Sequence, residues 1–257
     1  MHYFAHAKVN IFLKIVGTRG NYHELYSRFM RVRDLFDTLS FVPKQTTQAF
    51  ELVGDFQCAL EHNTLYKIYR ALHDQGFSKE IERVMQSYAL HVKKKIPTGA
   101  GLGGGSSDAA TFLRMLNDTA ELSLSNEEMM HIGARVGADV AFFVSGYESA
   151  NVSGIGEIVE SYDEEALELE VFTPDLACDT ARVYATFREF FLASITPQIA
   201  FRMFSCTSAE LLASYEPKML NDLYAACLKA YPELSTMAKE GWFFSGSGSS
   251  FFRIKEK

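Results

Sequence analysis

Nine residues near the middle of the chain, Pro97-Thr98-Gly99-Ala100-Gly101-Leu102-Gly103-Gly104-Gly105, restrict its folding more than any other segment. Five of the seven positions from Gly99 to Gly105 are glycine, a backbone entropy loss that a simple turn need not incur. Residues 88–96 upstream alternate as a strand does. Downstream, Ala109, Phe112, Leu113 and Leu116 recur at helical spacing. A strand, a glycine loop and a helix in that order leave several backbone N–H groups unobstructed beside the positive end of the helix, a setting that attracts an anion. Ser106 and Ser107 add hydroxyls that can donate to phosphate or ligate Mg2+. The plainer alternative is a tight helix-entry turn packed against another part of the chain. After Gly105 comes Ser106-Ser107-Asp108, without the lysine of a Walker loop, and no Rossmann layout surrounds the glycines. The pattern therefore points to a phosphate without naming the molecule that carries it.

With 257 residues the chain can form one large domain or two modest lobes. Its formal net charge of -7 does not suit a general nucleic-acid backbone binder, although a small anionic ligand needs only local donors. Hydrophobic residues at 47% and charged residues at 22% describe a foldable globular chain. The four cysteines show neither CxxC spacing nor grouping, and the histidines form no HExxH, so a disulfide scaffold and a zinc site are not expected. No apolar run approaches the roughly 20 residues of a bilayer span, and the first residues lack a signal-peptide core. A reducing cytoplasm is the expected location.

Strands are expected over residues 3–16, 35–42 and 49–53, and a helix over 64–75 that stops at Gly76. Ser125 and Glu128 have capping-box spacing ahead of Met129, Ile132 and Val136, with Gly137 as terminator and Gly133 allowing close packing. Residues 141–144 read as a short strand. A change of composition between residues 149 and 168 suggests a boundary between a lobe of residues 1–150 and one of residues 151–257. In the second lobe, helical spacing covers 181–191, 208–215 and 220–231, and the small-residue loop 245–250 separates two strand-like segments. No internal repeat is present.

Asp139 lies between Gly137 and an apolar run, where it can serve as a partly desolvated base or as the N-cap of a following helix. Lys8 stands in a segment poor in charge; its ammonium either enters a cleft or snorkels from a sheet edge. Asn10 has the same strand parity and should share its face. Tyr22 and His23 follow the turn at Gly20, placed to stack on a ring and bind its edge or to close over the core. Arg28, Arg31 and Arg33 read as a solvated or ion-paired cluster.

The segment from Pro97 to Ala110 closely resembles the phosphate-binding motif of the superfamily of galactokinase, homoserine kinase, mevalonate kinase and phosphomevalonate kinase. Ala7-Lys8-Val9-Asn10 resembles its first motif and Ser245-Gly246-Ser247-Gly248 its third, in the expected order. Within it, Lys8 to Leu13, Gly20 to Leu25, Gly137-Ala138-Asp139-Val140 and Asn221-Asp222-Leu223 are similar to the 4-diphosphocytidyl-2-C-methyl-D-erythritol kinase family. The resemblance implies an α+β, two-lobed small-molecule kinase fold. Its N-terminal lobe would resemble ribosomal protein S5 domain 2 and bind the ATP phosphates; its C-terminal lobe would be a ferredoxin-like α/β sandwich that completes the substrate site. It also implies ATP as phosphoryl donor, Mg2+, and phosphorylation of a substrate 2-hydroxyl in non-mevalonate isoprenoid precursor biosynthesis.

Carried onto matching positions, the resemblance implies Asp139 as base and Lys8 as its cationic, substrate-contacting partner. Asn63, Pro97, Gly99, Gly101, Leu102, Gly103, Gly104, Gly105, Ser106 and Ser107 would hold ATP, with Ser106 or Ser107 reaching the metal. Asn10, Tyr22, His23, Tyr184, Gly246 and Gly248 would contact a cytidine-diphosphate-linked substrate, Tyr22 by stacking and His23 at the base edge. No nucleic acid or membrane partner is expected, and either a monomer or a homodimer is compatible with the sequence. His6 stands where the family often has proline, and Ser245 and Ser247 where it often has threonine. Another kinase of the superfamily, of homoserine or mevalonate type, is the near alternative; a noncatalytic nucleotide-binding module is the alternative of a different class.

Overall fold

The computed structural model describes residues 1–255. Two long strands open the chain, β1 (Tyr3–Arg19) and β2 (Tyr22–Pro43), and they pair with each other. The turn between them is Gly20-Asn21, with Gly20 at φ 59°. A strand was expected only over residues 35–42, whereas β2 runs unbroken from Tyr22, so Tyr22 and His23 open that strand instead of lying in a loop. The chain then divides into two compact units, and it passes between them within β1 and β2.

One unit comprises Met1–Ala7, Asp34–Ile96 and Gly104–Gly146. In it Thr38–Pro43 of β2 pair antiparallel with β4 (Tyr88–Lys93), and the short β3 (Leu52–Val53) lies parallel to β4. Four helices, α1 (Thr64–Leu72), α3 (Gly104–Thr119), α4 (Asn126–Val136) and α5 (Val140–Ser145), supply the rest of its core, together with α2 (Ser78–Ser87). The expected 64–75 helix gives way after Leu72 to a wide turn, His73–Phe77, because Gly76 takes φ 95°, and α2 follows where no helix was expected. Phe112 of α3 is fully buried and meets the rings of Phe41 and Phe50, so truncating it would remove about 3–5 kcal/mol. The capping box of Ser125 and Glu128 forms as expected.

The expected strand at residues 141–144 is instead the helix α5. An apolar run this short has no period to distinguish the two states. Here Val140 to Val144 are all buried and Gly146, at φ 80°, ends the turn. Gly133 makes the packing possible, since a Cβ there would lie 2.6 Å from Val140 Cγ1.

The other unit comprises Lys8–Arg33, Pro97–Gly103 and the chain from Tyr147 onward. Ser27–Met30 of β2 pair antiparallel with β5 (Ser149–Ser153), which pairs with β6 (Ile158–Ser161). A separate antiparallel sheet has the order β7 (Leu169–Phe172), β9 (Phe251–Ile254), β8 (Phe243–Phe244). The helices are α6 (Thr180–Phe190), α7 (Pro197–Met203), α8 (Ser208–Ser214), α9 (Pro217–Leu220), α10 (Asp222–Ala230) and α11 (Leu234–Met237). Side chains of Asp179, Thr207 and Asn221 cap α6, α8 and α10. Of the arginine cluster, Arg28 is completely buried, with Glu164, Asn151 and two backbone carbonyls around its guanidinium, while Arg31 and Arg33 meet Glu148. No helix among the described residues is long and apolar enough to cross a membrane.

Candidate active site

Ser245 joins the three glycine-marked or polar motifs. Its hydroxyl donates to Gly101 O at 3.0 Å and accepts from Asn10 N at 3.3 Å. Gly101, at φ 73°, comes so close that a Cβ on it would stand 2.2 Å from Ser245 O. No other residue fits both the dihedral and the distance. Gly246 is equally confined, its would-be Cβ lying 3.0 Å from Gly101 O and 3.3 Å from Asn10 Oδ1. The loop is tied further by Lys8 N to Leu102 O at 3.0 Å, Ser250 N to Ala100 O at 3.1 Å and Cys178 N to Gly99 O at 3.0 Å. Leu102 is buried, so it anchors the loop through its side chain. Pro97 begins this stretch and Gly103 ends it with φ 71°. Gly248, the other named glycine of the third motif, turns at φ 88° against the ring of Phe244.

Lys8 is not a snorkelling edge residue. It is only 3% exposed; its Nζ donates to Asn10 Oδ1 at 2.6 Å and lies 4.4 Å from the centre of the Phe29 ring. Asn10 in turn donates to Ser27 Oγ at 2.9 Å, so the expected shared face of Lys8 and Asn10 is present and rigidly held. Asn221 fixes the third motif by donating to Phe244 O at 3.0 Å and Gly246 O at 2.9 Å while capping α10.

In the first unit, Gly104 opens α3 and Gly105, Ser106 and Ser107 complete its first turn. Thr64 Oγ1 donates to Gly105 O at 2.8 Å, which sets the start of α1 beside the start of α3. The buried Asn63 caps α1 there, accepting from Leu65 N at 2.9 Å. Ser107 is buried, whereas Ser106 is half-buried and its Oγ lies 3.7 Å from the place of a Cβ on Gly137. Asp139, two residues on from Gly137, is half-buried at the start of α5 but makes no capping hydrogen bond. It therefore holds the N-cap position of that helix without capping it through its side chain.

A buried ion cluster lies under the same turn. Lys94 Nζ donates to Asp37 and, at 2.6 Å, to Asp108. Burial pushes the Asp108 carboxyl up to about 7 even though Lys94 opposes the shift. Burial alone would lower Lys94, yet the two carboxylates outweigh it and its ammonium is held above its ordinary range.

His23 and Tyr184 meet in the second unit, with ring centres 5.1 Å apart and planes 36° apart, and Phe187 stands edge-on to His23 at 5.8 Å. His23 is buried, and its Nε2 has no hydrogen-bond partner. Burial, reinforced by the charge of Arg188, lowers its pKa below the ordinary 6.5 and keeps the imidazole neutral. Tyr22 precedes it with its ring largely exposed at 64%. An unpaired ring nitrogen beside aromatic faces suits the polar edge of a flat heterocycle.

The contribution of Ser27, Thr64, Arg188, Lys94, Asp37 and Asp108 was not read from the sequence. Only Asp37, a lone acid within an alternating strand, and the run Lys93-Lys94-Lys95 carried a signal. Among the described residues no group of three or more His, Cys, Asp or Glu could hold a metal. A first-turn serine still fits Mg2+, which binds through few protein oxygens when it arrives with nucleotide phosphates.

The profile of the GHMP kinases N terminal domain matches residues 63–147, the span that contains the glycine loop and Asp139. The 4-diphosphocytidyl-2-C-methyl-D-erythritol kinase of Sulfurimonas denitrificans is 54% identical, over 99% of this chain and 97% of that protein. Its counterpart in a Sulfurovum species is 50% identical over 98% of each. A crystal structure of 4-(cytidine 5'-diphospho)-2C-methyl-D-erythritol kinase superposes with a TM-score of 0.70 at 29% identity, covering 100% of this chain and 90% of the other. With motifs, fold and near-complete alignment in agreement, the chain belongs to the 4-diphosphocytidyl-2-C-methyl-D-erythritol kinase family and has the GHMP kinase fold.

Proposed function

We infer that the chain transfers the γ-phosphoryl group of ATP to the 2-hydroxyl of 4-diphosphocytidyl-2-C-methyl-D-erythritol, giving the 2-phosphate and ADP in non-mevalonate isoprenoid precursor biosynthesis. The observation that carries this reading is the grouping of Gly101, Asn10 and Gly246 around Ser245, in a chain so closely related to kinases of that name. For function, residues 1–150 carry the phosphate loop and the base, and residues 151–257 supply Tyr184, Gly246 and Gly248.

The acceptor is a tertiary alcohol, crowded and weakly acidic, so orientation and charge neutralisation must supply most of the rate. Asp139, half-buried at the start of α5, takes the hydroxyl proton as the new P–O bond forms. Lys8, buried and fixed by Asn10, offsets the negative charge that develops on the acceptor oxygen. Asn10 contacts the substrate near that oxygen. The backbone of Pro97, Gly99 and Gly101 to Gly105, with Ser106 and Ser107, holds the ATP phosphates, and Asn63 lies on the nucleotide side. Ser106 or Ser107 would hold Mg2+, which when bound would supply neutralisation of the charge on the ATP phosphates. His23 Nε2 reads the cytosine edge while Tyr22 and Tyr184 stack on its faces.

The test is ADP formation with Mg2+–ATP and each of four acceptors: diphosphocytidyl methylerythritol, homoserine, mevalonate and galactose. Selective turnover of the first is expected. Turnover of another acceptor would replace this reading by a different kinase of the superfamily, and ATP binding without turnover of any would leave a nucleotide-binding module.

A further inference from the structure

The ion cluster under α3 has a geometry that bulk stability does not require. Asp37 is fully buried, Asp108 is 2% exposed and the Lys94 side chain 16% exposed. Each member grips a different part of the glycine loop's framework. Asp37 Oδ1 accepts from Lys95 N at 2.5 Å and Ile96 N at 2.8 Å, fixing the backbone just before the loop. Asp108 belongs to α3 immediately after Ser106-Ser107, just beyond the loop. Lys94 Nζ bridges these two carboxylates and lies 3.6 Å from the place of a Cβ on Gly104, the first residue of α3. A Cβ on Gly104 would itself stand 2.9 Å from Ile96 Cγ2, so the end of the strand segment and the start of the helix are pressed together at this point. Buried ion pairs rarely add stability beyond what apolar side chains of the same volume would give, whereas they do fix a unique arrangement.

We propose that Lys94 is a positioning residue for nucleotide binding: by clamping Asp37 to Asp108 it sets the separation of the loop's entry and exit, and so aims the first-turn N–H groups of α3 at the nucleotide phosphates. Both carboxylates already engage its ammonium, so it acts through the loop and not on the phosphates directly. The proposal rests on the reading of the glycine loop as the ATP phosphate site.

The experiment is calorimetric titration of the full chain with Mg2+–ATP, without acceptor, alongside steady-state KM values for ATP and for the cytidine acceptor. The variants are Lys94→Met and the neutral triple Asp37→Asn/Lys94→Met/Asp108→Asn, which removes the burden of unpaired buried carboxylates if the single variant does not fold. Expected is an increase of about tenfold in the ATP dissociation constant and ATP KM of the triple variant, the size of one well-aimed charge-assisted hydrogen bond. Its acceptor KM should stay within about twofold of wild type, a split that a general loss of structure would not produce. A folded triple variant that binds ATP as tightly as wild type, or one in which both KM values rise together, would overturn the proposal. So would a triple variant unable to fold, because the cluster would then hold the fold and not aim the loop. A wild-type chain that binds no ATP would remove the nucleotide reading itself and this proposal with it; wild-type binding with unchanged variants would remove the proposal alone.

Discussion

Gly101 and Ser245 are in such close backbone contact that the space for a side chain on Gly101 is already taken by the Ser245 carbonyl, 2.2 Å from where a Cβ would begin. Gly101→Ala therefore meets both a clash and a left-handed φ of 73°. Gly20→Ala is the matched control: its φ is 59°, but nothing lies within 4 Å of the new Cβ. Denaturant melts should show a loss of about 1 kcal/mol for Gly20→Ala from the backbone alone, and for Gly101→Ala a loss of about 3 kcal/mol or more. Equal losses would mean that the approach to Ser245 carries no energetic weight.

Asp139→Asn preserves the shape of the side chain while removing its ability to take a proton. Turnover should fall by roughly 100-fold to 10,000-fold with ATP affinity unchanged within a factor of about two. Turnover near wild type would remove Asp139 as the base.

Stacking on a base is worth about 1–3 kcal/mol by alanine substitution. Tyr22→Ala and Tyr184→Ala should each raise the acceptor KM by roughly 5-fold to 100-fold and leave the ATP KM in place. A matching rise in both constants would count against either ring as a cytosine platform.

His23 titrates in the direction expected of a buried imidazole, below its ordinary 6.5. The unfolded chain then binds more protons than the folded one as pH drops through that value. The stability that neutral His23 contributes is complete above about 6.5 and is lost as pH falls toward the folded-state pKa. Denaturation at pH 7.5 and pH 5.5 should show an acid-side loss that His23→Asn reduces, and the acceptor KM of wild type should rise on the same side. An unchanged pH slope in the variant would contradict the assignment.

What could be read from the chain and what could not divide along physical lines. The strand, glycine loop and helix around residues 88–119 were legible because glycine, proline and apolar period act locally, and Ser125 with Glu128 announced its helix for the same reason. Residues 141–144 misled because a buried apolar run has no period, and the surrounding helices alone decide that it coils. Lys8 and Asn10 could be placed on one face by strand parity, but the burial that makes Lys8 useful comes from Phe29 and Ser27, seventeen or more residues away. The Lys94 cluster was hidden for the same reason: Asp37 stands fifty-seven positions before Lys94 and has no local pattern linking the two.

The most direct measurement follows both products in one reaction of the wild-type chain with Mg2+–ATP and diphosphocytidyl methylerythritol, by phosphorus NMR with carbon assignment of the esterified position. The expected result is ADP and a new phosphomonoester on the C2 oxygen, in equal amounts. ADP accompanied only by inorganic phosphate, or a phosphate on any other hydroxyl, would contradict the proposed transfer.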